Sequence, residues 1–316
     1  MIEVRVTRKV QEALDICTYE LADAAGGALP PFSAGSHIDV QIRPGLVRQY
    51  SLCNDPGESH RYLIGVLRDP QSRGGSQAMH EDIRQGDVIR ISAPKNHFPL
   101  VPAQRSLLLA GGIGITPILC MAERLAVTGA AFELHYCTRS PERTAFYERI
   151  KASSFADRAH LYFDSGPAER RLELERLLAS QPAQTHLYVC GPAGFIGHVV
   201  DTAQRLDWDS VRVHFEYFGA APRETGADRA FEIRIASSGQ CYTVPADRTV
   251  IDVLEEHGVQ VPFSCEQGVC GTCVTRVLDG VPDHRDSYLN AAEHERNDQF
   301  TPCCSRARSE RLVLDL

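Results

Sequence analysis

The stretch CEQGVCGTC, Cys265 to Cys273, holds three cysteines spaced by four and then two residues. Such a run can serve a disulfide framework, a zinc knuckle, a redox thiol pair or an iron–sulfur cluster, and spacing separates these. Structural zinc asks for two paired knuckles that close a tetrahedron. Cys270 and Cys273 make one pair, but the later cysteines, Cys303 and Cys304, are adjacent and make no ordinary second knuckle. A C-x4-C-x2-C run with a distant fourth cysteine is the plant-type [2Fe–2S] pattern. Here 29 residues lie between Cys273 and Cys303. Gly268 and Gly271 let the loop curl and aim backbone N–H groups at sulfur, which tunes a cluster's potential. Cys303 and Cys304 point in different directions if their segment is extended, so on spacing alone either closes the set.

The rest of the chain suits a cofactor-bearing enzyme. Its 316 residues predict two or three domains, and 43% hydrophobic content supports real cores. The net charge of −8 argues against non-specific nucleic-acid binding. No apolar leader opens the chain, and runs such as LLLAGGIGI are too short to span a bilayer. A soluble cytoplasmic protein is expected, without membrane attachment. In that compartment the 11 cysteines read as cofactor ligands and small buried residues, not as disulfides.

Three segments follow one another. Residues 1–102 contain short alternating runs (IEVRVTRKV, HIDVQI, RQYSL, RYLIGVLRD, DVIRISAP) between Gly- and Pro-bearing turns, with one helical stretch, SQAMHEDI. This predicts an antiparallel β-barrel with a single helix. Residues 103–219 alternate apolar strands (RSLLLAGG, FELHYCTR, AHLYFD, THLYVCG) with helical stretches, which predicts an α/β parallel-sheet domain. Residues 220–230 read as a linker. Residues 231–316 combine a hairpin, a short helix with a capping box from Thr249 to Asp252 and a stop at Gly258, the cysteine stretch and two closing strands. That is an α+β unit. Its 14 Asp and Glu against 8 Lys and Arg hold most of the chain's negative charge, which suits a basic, salt-sensitive docking partner.

Two upstream motifs supply chemistry. In RQYS, Arg48 and Tyr50 share one face of a strand, an aromatic ring and a cation side by side. In RGGS, Arg73 to Ser76, glycines open a helix and present free N–H groups to a phosphate. Together they support a flavin phosphate and ring site. GGIGITP, Gly111 to Pro117, follows a strand and opens a helix, so Gly111, Gly112 and Gly114 permit close approach of a pyrophosphate. It is not the G-x-G-x-x-G fingerprint of Rossmann dehydrogenases. Arg139 and Ser140 in CTRS, Asp164 at the end of LYFD, and Cys190, Gly191 and Pro192 in CGP stand at the carboxyl ends of the other parallel strands. Asp164 would repel a 2′-phosphate and meet a ribose hydroxyl, which favours NADH over NADPH, whereas Arg139 alone is weak support for NADPH. No Ser–His–Asp or H-E-x-x-H arrangement is visible. The 12 histidines are scattered, and His37, His80, His97 and His135 read as surface or packing residues.

RQYSLCND, RGGS, GGIGITP, CGP and the cysteine-rich tail occur in one order over nearly the whole chain. In this the sequence resembles the phthalate dioxygenase reductase and vanillate demethylase reductase family, within the ferredoxin–NADP⁺ reductase superfamily. The resemblance implies a flavin barrel, a pyridine-nucleotide domain and a C-terminal β-grasp ferredoxin. It implies FMN, because the RGGS class resembles FMN users. It places Arg48, Gln49, Tyr50 and Ser51 along the flavin, Val66, Leu67 and Arg68 at the ribityl side, and Arg73, Gly74, Gly75 and Ser76 at the phosphate. Phe218 and Thr116 come near the flavin ring, and Cys190 lies beside the nicotinamide. Ser51, Thr116 and Cys190 thus become the expected catalytic positions. The tail CCSRARS is similar to a C-x-S-R-A ending whose first cysteine is the ligand, which selects Cys303. The implied relay runs from NADH through FMN and the [2Fe–2S] cluster to a Rieske-type oxygenase, the reductase itself a monomer. An oxidoreductase serving another electron carrier is the alternative.

Overall fold

The computed structural model describes residues 1–70, 74–167, 171–219, 228–263, 265–286 and 288–316. The chain divides into two compact units, Met1–Glu216 and Tyr217–Leu316. The first holds two sheets. Strands β1 (Ile2–Ala13), β2 (Ile16–Asp23), β3 (Ser36–Arg43), β4 (Leu46–Ser51), β5 (Tyr62–Leu67), β6 (Val88–Ile91) and β7 (Lys95–Asn96) form an antiparallel sheet ordered β4-β3-β6-β1-β2-β5, with β7 on β3. The two ends of that order meet at a bridge between Leu52 and Ile64. Alternating side chains explain the pattern: in β1, Val4 and Val6 point into a core with Tyr19, Ile38, Ile64 and Met79, and Glu3 and Arg5 point out. Helix α1 (Gly75–Glu81) covers this core through Ala78 and Met79.

The second sheet is ordered β10-β9-β8-β11-β12, from β8 (Arg105–Gly111), β9 (Ala131–Thr138), β10 (Ala159–Phe163), β11 (Thr185–Gly191) and β12 (Val213–Tyr217). The pairs β8–β9, β9–β10 and β8–β11 are parallel. Helices α2 (Ile115–Val127), α3 (Tyr147–Lys151), α4 (Leu174–Ala179) and α5 (Ala193–Arg205) connect the strands. The continuous apolar run in β8 is explained by burial from Ser106 to Gly111. The predicted division at residue 102 falls inside this unit. One core crosses it, in which Ile16, Ala34, Cys53 and Phe98 pack with Leu108, Ile118, Leu119 and Met121. The chain leaves β8 toward β9 on one side and returns through β11 on the other. The sheet's switch point therefore lies between the carboxyl ends of β8 and β11, where open α/β sheets bind ligands.

The second unit is a mixed five-stranded sheet, ordered β14-β13-β19-β15-β17, plus the pair β16 (Pro282–Asp283) and β18 (Arg306–Ala307). Its strands are β13 (Phe231–Ile235), β14 (Cys241–Val244), β15 (Thr275–Asp279), β17 (Gln299–Phe300) and β19 (Arg311–Leu314). β13 and β19 run parallel, while β13–β14 and β15–β19 are antiparallel. Helix α6 (Val250–Glu256) packs Val250, Val253 and Leu254 onto this sheet, the β-grasp arrangement. A second short helix, α7 (Ala291–Arg296), precedes β17. Most of the predicted linker, residues 220–227, lies outside the described residues.

The capping box legible in the sequence is present. Asp252 N–H donates to Thr249 Oγ1 at 3.1 Å, and Thr249 N–H donates to Asp252 Oδ2 at 2.9 Å. Thr249→Ala is expected to cost about 1 kcal/mol. For a unit of this size that lowers the unfolding midpoint by about 4–8 °C, read from bleaching of the cluster's visible absorption on heating.

Candidate functional site

At the end of β4, the register pairs Val40 with Arg48, Asp39 with Gln49 and Ile38 with Tyr50. Gln49 accordingly turns to the other face and donates to Asp39 Oδ1 at 2.9 Å, while Lys95 pairs with Asp39 Oδ2 at 2.7 Å. Arg48 lies across Gly75: a Cβ on that glycine would stand 2.7 Å from Arg48 Nε. The RQYS strand and the glycines of the RGGS turn, distant along the chain, are thus one surface. Gly74 caps α1 with φ 88° and no side-chain cap bond, so the helix starts before Ser76. The Ser76 hydroxyl instead accepts from Asp69 N–H at 3.1 Å, which ties the VLRD turn to the same place. Val66 is buried and its carbonyl lies 2.9 Å from His80 Nε2, while Arg68 pairs with Glu81 at 2.6 Å. Arg73 lies outside the described residues. Ser51 is buried at the strand's end.

The switch point is built from backbone contact. A Cβ on Gly114 would stand 2.6 Å from Gly191 N and closer still to the Cys190 carbonyl, and one on Gly191 would stand 3.0 Å from Gly111 Cα. GGIGITP and CGP therefore form a single floor. Thr116 is buried in the first turn of α2 and donates to Ile113 O at 3.1 Å. A Cβ on Gly65 of β5 would stand 2.9 Å from Thr116 Cγ2, so this turn also abuts the antiparallel sheet. At the next strand ends, Arg139 and Asp164 are both exposed, and Ser165 N–H donates to Arg139 O at 3.0 Å. Ser140 O accepts from the Thr144 hydroxyl at 3.0 Å.

One residue here escaped the motif reading. Cys190 is fully buried, and burial together with the Glu216 carboxyl pushes its thiol well up, so it stays a neutral wall. Glu216 itself, in β12, has its Oε2 shut away from solvent with no hydrogen-bond partner among the described residues, and burial pushes its carboxyl up to about 8. The only signal in the sequence was an acid set between aromatic residues in HFEYF. Phe218, two residues on, is 39% exposed and belongs to the second unit.

In the second unit Cys265, Cys270, Cys273 and Cys303 are all buried. Cys265 neighbours Cys270 and Cys303, and Cys303 in turn neighbours Cys273. Hydrogen bonds from Cys270, Cys303 and the N–H groups of Gln267 and Val269 pull the Cys265 thiol far below its ordinary value. Cys270 and Cys303 shift the opposite way, chiefly through the same contacts with Cys265. Packed thiols cannot all ionise without a countercharge, and ferric iron is such a charge; the donor set fits a [2Fe–2S] cluster. The loop wraps at Gly268 (φ 71°) and Gly271 (φ 68°), whose missing side chains leave room for Cys304 and for the Tyr288 ring. Cys304 stands beside Cys303, and its thiol also lies 3.3 Å from the Thr301 hydroxyl and 3.9 Å from that of Ser305. Among the described residues no helix is long and apolar enough to cross a membrane.

Comparison with known proteins agrees with this geometry. Residues 233–308 match the 2Fe-2S iron-sulfur cluster binding domain, and residues 96–213 match the N-terminal domain of the dimethylamine monooxygenase subunit DmmA-like family. The chain is 56% identical to a vanillate O-demethylase oxidoreductase of Pseudomonas putida, covering 100% of both chains. It is 40% identical to phthalate dioxygenase reductase of Burkholderia cepacia, covering 100% of this chain and 97% of that one. A solved phthalate dioxygenase reductase, described as a modular structure for electron transfer from pyridine nucleotides to [2Fe-2S], superposes with a TM-score of 0.81 at 39% identity, over 100% of this chain and 98% of that one.

The buried Glu216 carboxyl makes a pH prediction. The folded state keeps a proton that the unfolded chain releases above its ordinary value of 4.5, so stability falls as pH rises from there toward about 8 and then levels off. Glu216→Gln, which mimics the protonated form, is expected to gain on the wild type in urea denaturation between pH 6 and pH 8. A difference that stays constant across that range means the carboxyl is ionised throughout.

Proposed function

The chain belongs to the reductase family of vanillate O-demethylase oxidoreductase and phthalate dioxygenase reductase, and on that premise we propose how its own residues carry the work. It is an NADH-dependent flavin and [2Fe–2S] oxidoreductase that supplies electrons to a Rieske-type aromatic oxygenase or demethylase. The observation that carries this reading is the convergence of four buried thiols in a β-grasp unit, on a chain whose other unit has a glycine-floored switch point. Bound flavin takes both electrons of a hydride and releases them singly, as a one-electron cluster requires.

FMN is the flavin we assign. Arg48, Tyr50 and Ser51 line it with the backbone of Gln49, Val66, Leu67 and Arg68 hold its ribityl side, and Gly74, Gly75 and Ser76 hold its phosphate. Arg48, held across Gly75, supplies the cation that a phosphate at this turn needs. Phe218 is assigned to the ring. NADH lies on the floor made by Gly111, Gly112, Gly114, Gly191 and Pro192, with Arg139, Ser140 and Asp164 at its ribose end. The exposed Asp164 carboxylate disfavours a 2′-phosphate there. Thr116 and Cys190 position the nicotinamide, and Ser51 meets the flavin edge. The neutral Cys190 thiol packs against the ring and excludes water. We place the protein in the cytoplasm as a monomer; eleven reducible cysteines and the partner's soluble chemistry support that setting.

The four cysteines are tested by their spectra. Cys303→Ser is expected to lose the iron–sulfur bands while retaining flavin and NADH-dependent ferricyanide reduction, and Cys304→Ser to retain both chromophores. The reverse result, bleaching by the Cys304 change alone, refutes the ligand set. Turnover with a candidate oxygenase should fall as salt is raised, while ferricyanide reduction holds steady, because the acidic second unit docks a basic surface.

A further inference from the structure

His284, Asp286 and His294 meet on the second unit, with one ligand atom from each lying within 4.8 Å of the others. The Asp286 side chain is fully buried. Its Oδ2 accepts from the N–H groups of Tyr288 at 3.2 Å and Leu289 at 2.7 Å, which fixes the carboxylate's orientation. Its Oδ1 lies 3.5 Å from the Ser305 hydroxyl, 3.8 Å from His284 Nδ1 and 3.4 Å from His294 Nε2. The two imidazole rings are stacked, with centroids 4.3 Å apart and planes 20° from parallel. Asn297 and the backbone of His294 are also within reach of the His284 ring.

A buried carboxylate needs a countercharge. Among the described residues the two histidines are the only ion-pair partners of Asp286. The nearby arginines are committed elsewhere: Arg285 to Asp228 and Asp283, Arg296 to Asp298, and Arg306 to the carbonyls of Arg248 and Pro245. The imidazole–carboxylate distances are also informative. Charge-assisted hydrogen bonds close to about 2.7–2.9 Å, and these gaps are wider. The His294 gap, 3.4 Å to either carboxylate oxygen, is close to the edge of a tetrahedron around zinc, which for bonds of about 2.0–2.1 Å is about 3.4 Å, while the His284 gap of 3.8 Å is wider and would close on binding.

We propose that His284, Asp286 and His294 form a second metal site, separate from the cysteine cluster, for a zinc-type divalent cation. Two imidazoles and one carboxylate are a donor set suited to zinc and its neighbours. Three protein ligands leave a fourth position for water, and His294, 30% exposed on α7, gives it a path to solvent. The backbone N–H groups on Oδ2 are the outer contacts that hold such a carboxylate in place.

The test uses untagged holoenzyme with flavin and cluster in place, dialysed against zinc and then freed of excess by gel filtration, with zinc and iron counted by elemental analysis. The expected result is one zinc for every two irons in the wild type. In His294→Gln, retained zinc is lost and calorimetric affinity falls by more than the about 100-fold that an outer contact is worth. Unchanged flavin and cluster absorption reports that the variant is folded. His284→Gln should behave alike; if it does not fold, His294→Gln, on a partly exposed helix, decides alone. No zinc in the wild type, equal zinc in the variant, or zinc gained only as iron is lost would each overturn the proposal.

Discussion

At the centre of the first unit the backbone of Gly114 lies against the carbonyl of Cys190 and the N–H of Gly191, with no room for a methyl group between them. That contact closes the end of β8 onto the end of β11, and the parallel sheet's ligand crevice exists because of it. A side chain at this point would push the first turn of α2 outward. Thr116 would leave its place against Gly65 of β5, and the two sheets of the unit would lose one of their contacts. The cysteine loop solves the same problem in the second unit. Gly268 gives way to Cys304 and Gly271 to the Tyr288 ring, so the loop can wrap sulfur atoms around a common centre. In both units the floor of the site is backbone, which brings N–H groups within reach of whatever binds there.

Buried charge is managed in three different ways in this chain. Glu216 has no partner for its Oε2 among the described residues, and burial favours its protonated form. The cysteine set packs its thiols against one another, so they cannot all ionise without a cation among them. Asp286 is held by two backbone N–H groups and faces a pair of imidazoles. Arginine resolves other cases without any cofactor: Arg285 pairs with Asp228, and Arg61 bridges Glu20 at 2.7 Å and Glu58 at 2.8 Å. The difference is instructive. A carboxylate met by a fixed cation, a guanidinium at Asp228 or the Lys95 ammonium at Asp39, needs nothing further; a buried acid without one is stabilised by its proton.

Local pattern made much of this legible. Period-two alternation in IEVRVTRKV, the continuous run RSLLLAGG and the Thr249–Asp252 box each became the element they predict, because each signal lies within one turn or one strand. The cysteine spacing was equally direct, since three of its four ligands share one loop. What could not be read was juxtaposition. Nothing in the sequence sets Arg48 across Gly75 or brings Glu216 to Cys190; β-sheet register and a parallel crossover do so. The histidines were read as scattered, yet His284 and His294 are brought onto Asp286 by a turn and a short helix whose own cap is Asn290 with Glu293. The signal was there as H-x-D with a second histidine eight residues beyond Asp286, but without a fold it has no more weight than any other pair.

The distribution of charge follows from the division of labour between units. Residues 231–316 carry 14 acidic and 8 basic side chains, most of the net −8 of the whole chain. Several of those acids pair with arginines of the same unit, Arg248, Arg285 and Arg311, so the net outward field comes from the remainder. Of the arginines in this unit, Arg285 and Arg306 are largely buried, while Arg248, Arg276, Arg296, Arg308 and Arg311 stay at the surface beside their acidic partners. A surface of this kind repels other acidic proteins and gathers a basic partner at long range, with little affinity of its own once salt is present. An electron donor that must meet its acceptor, discharge and leave is served by that balance, since fast encounter matters more to it than a long-lived complex.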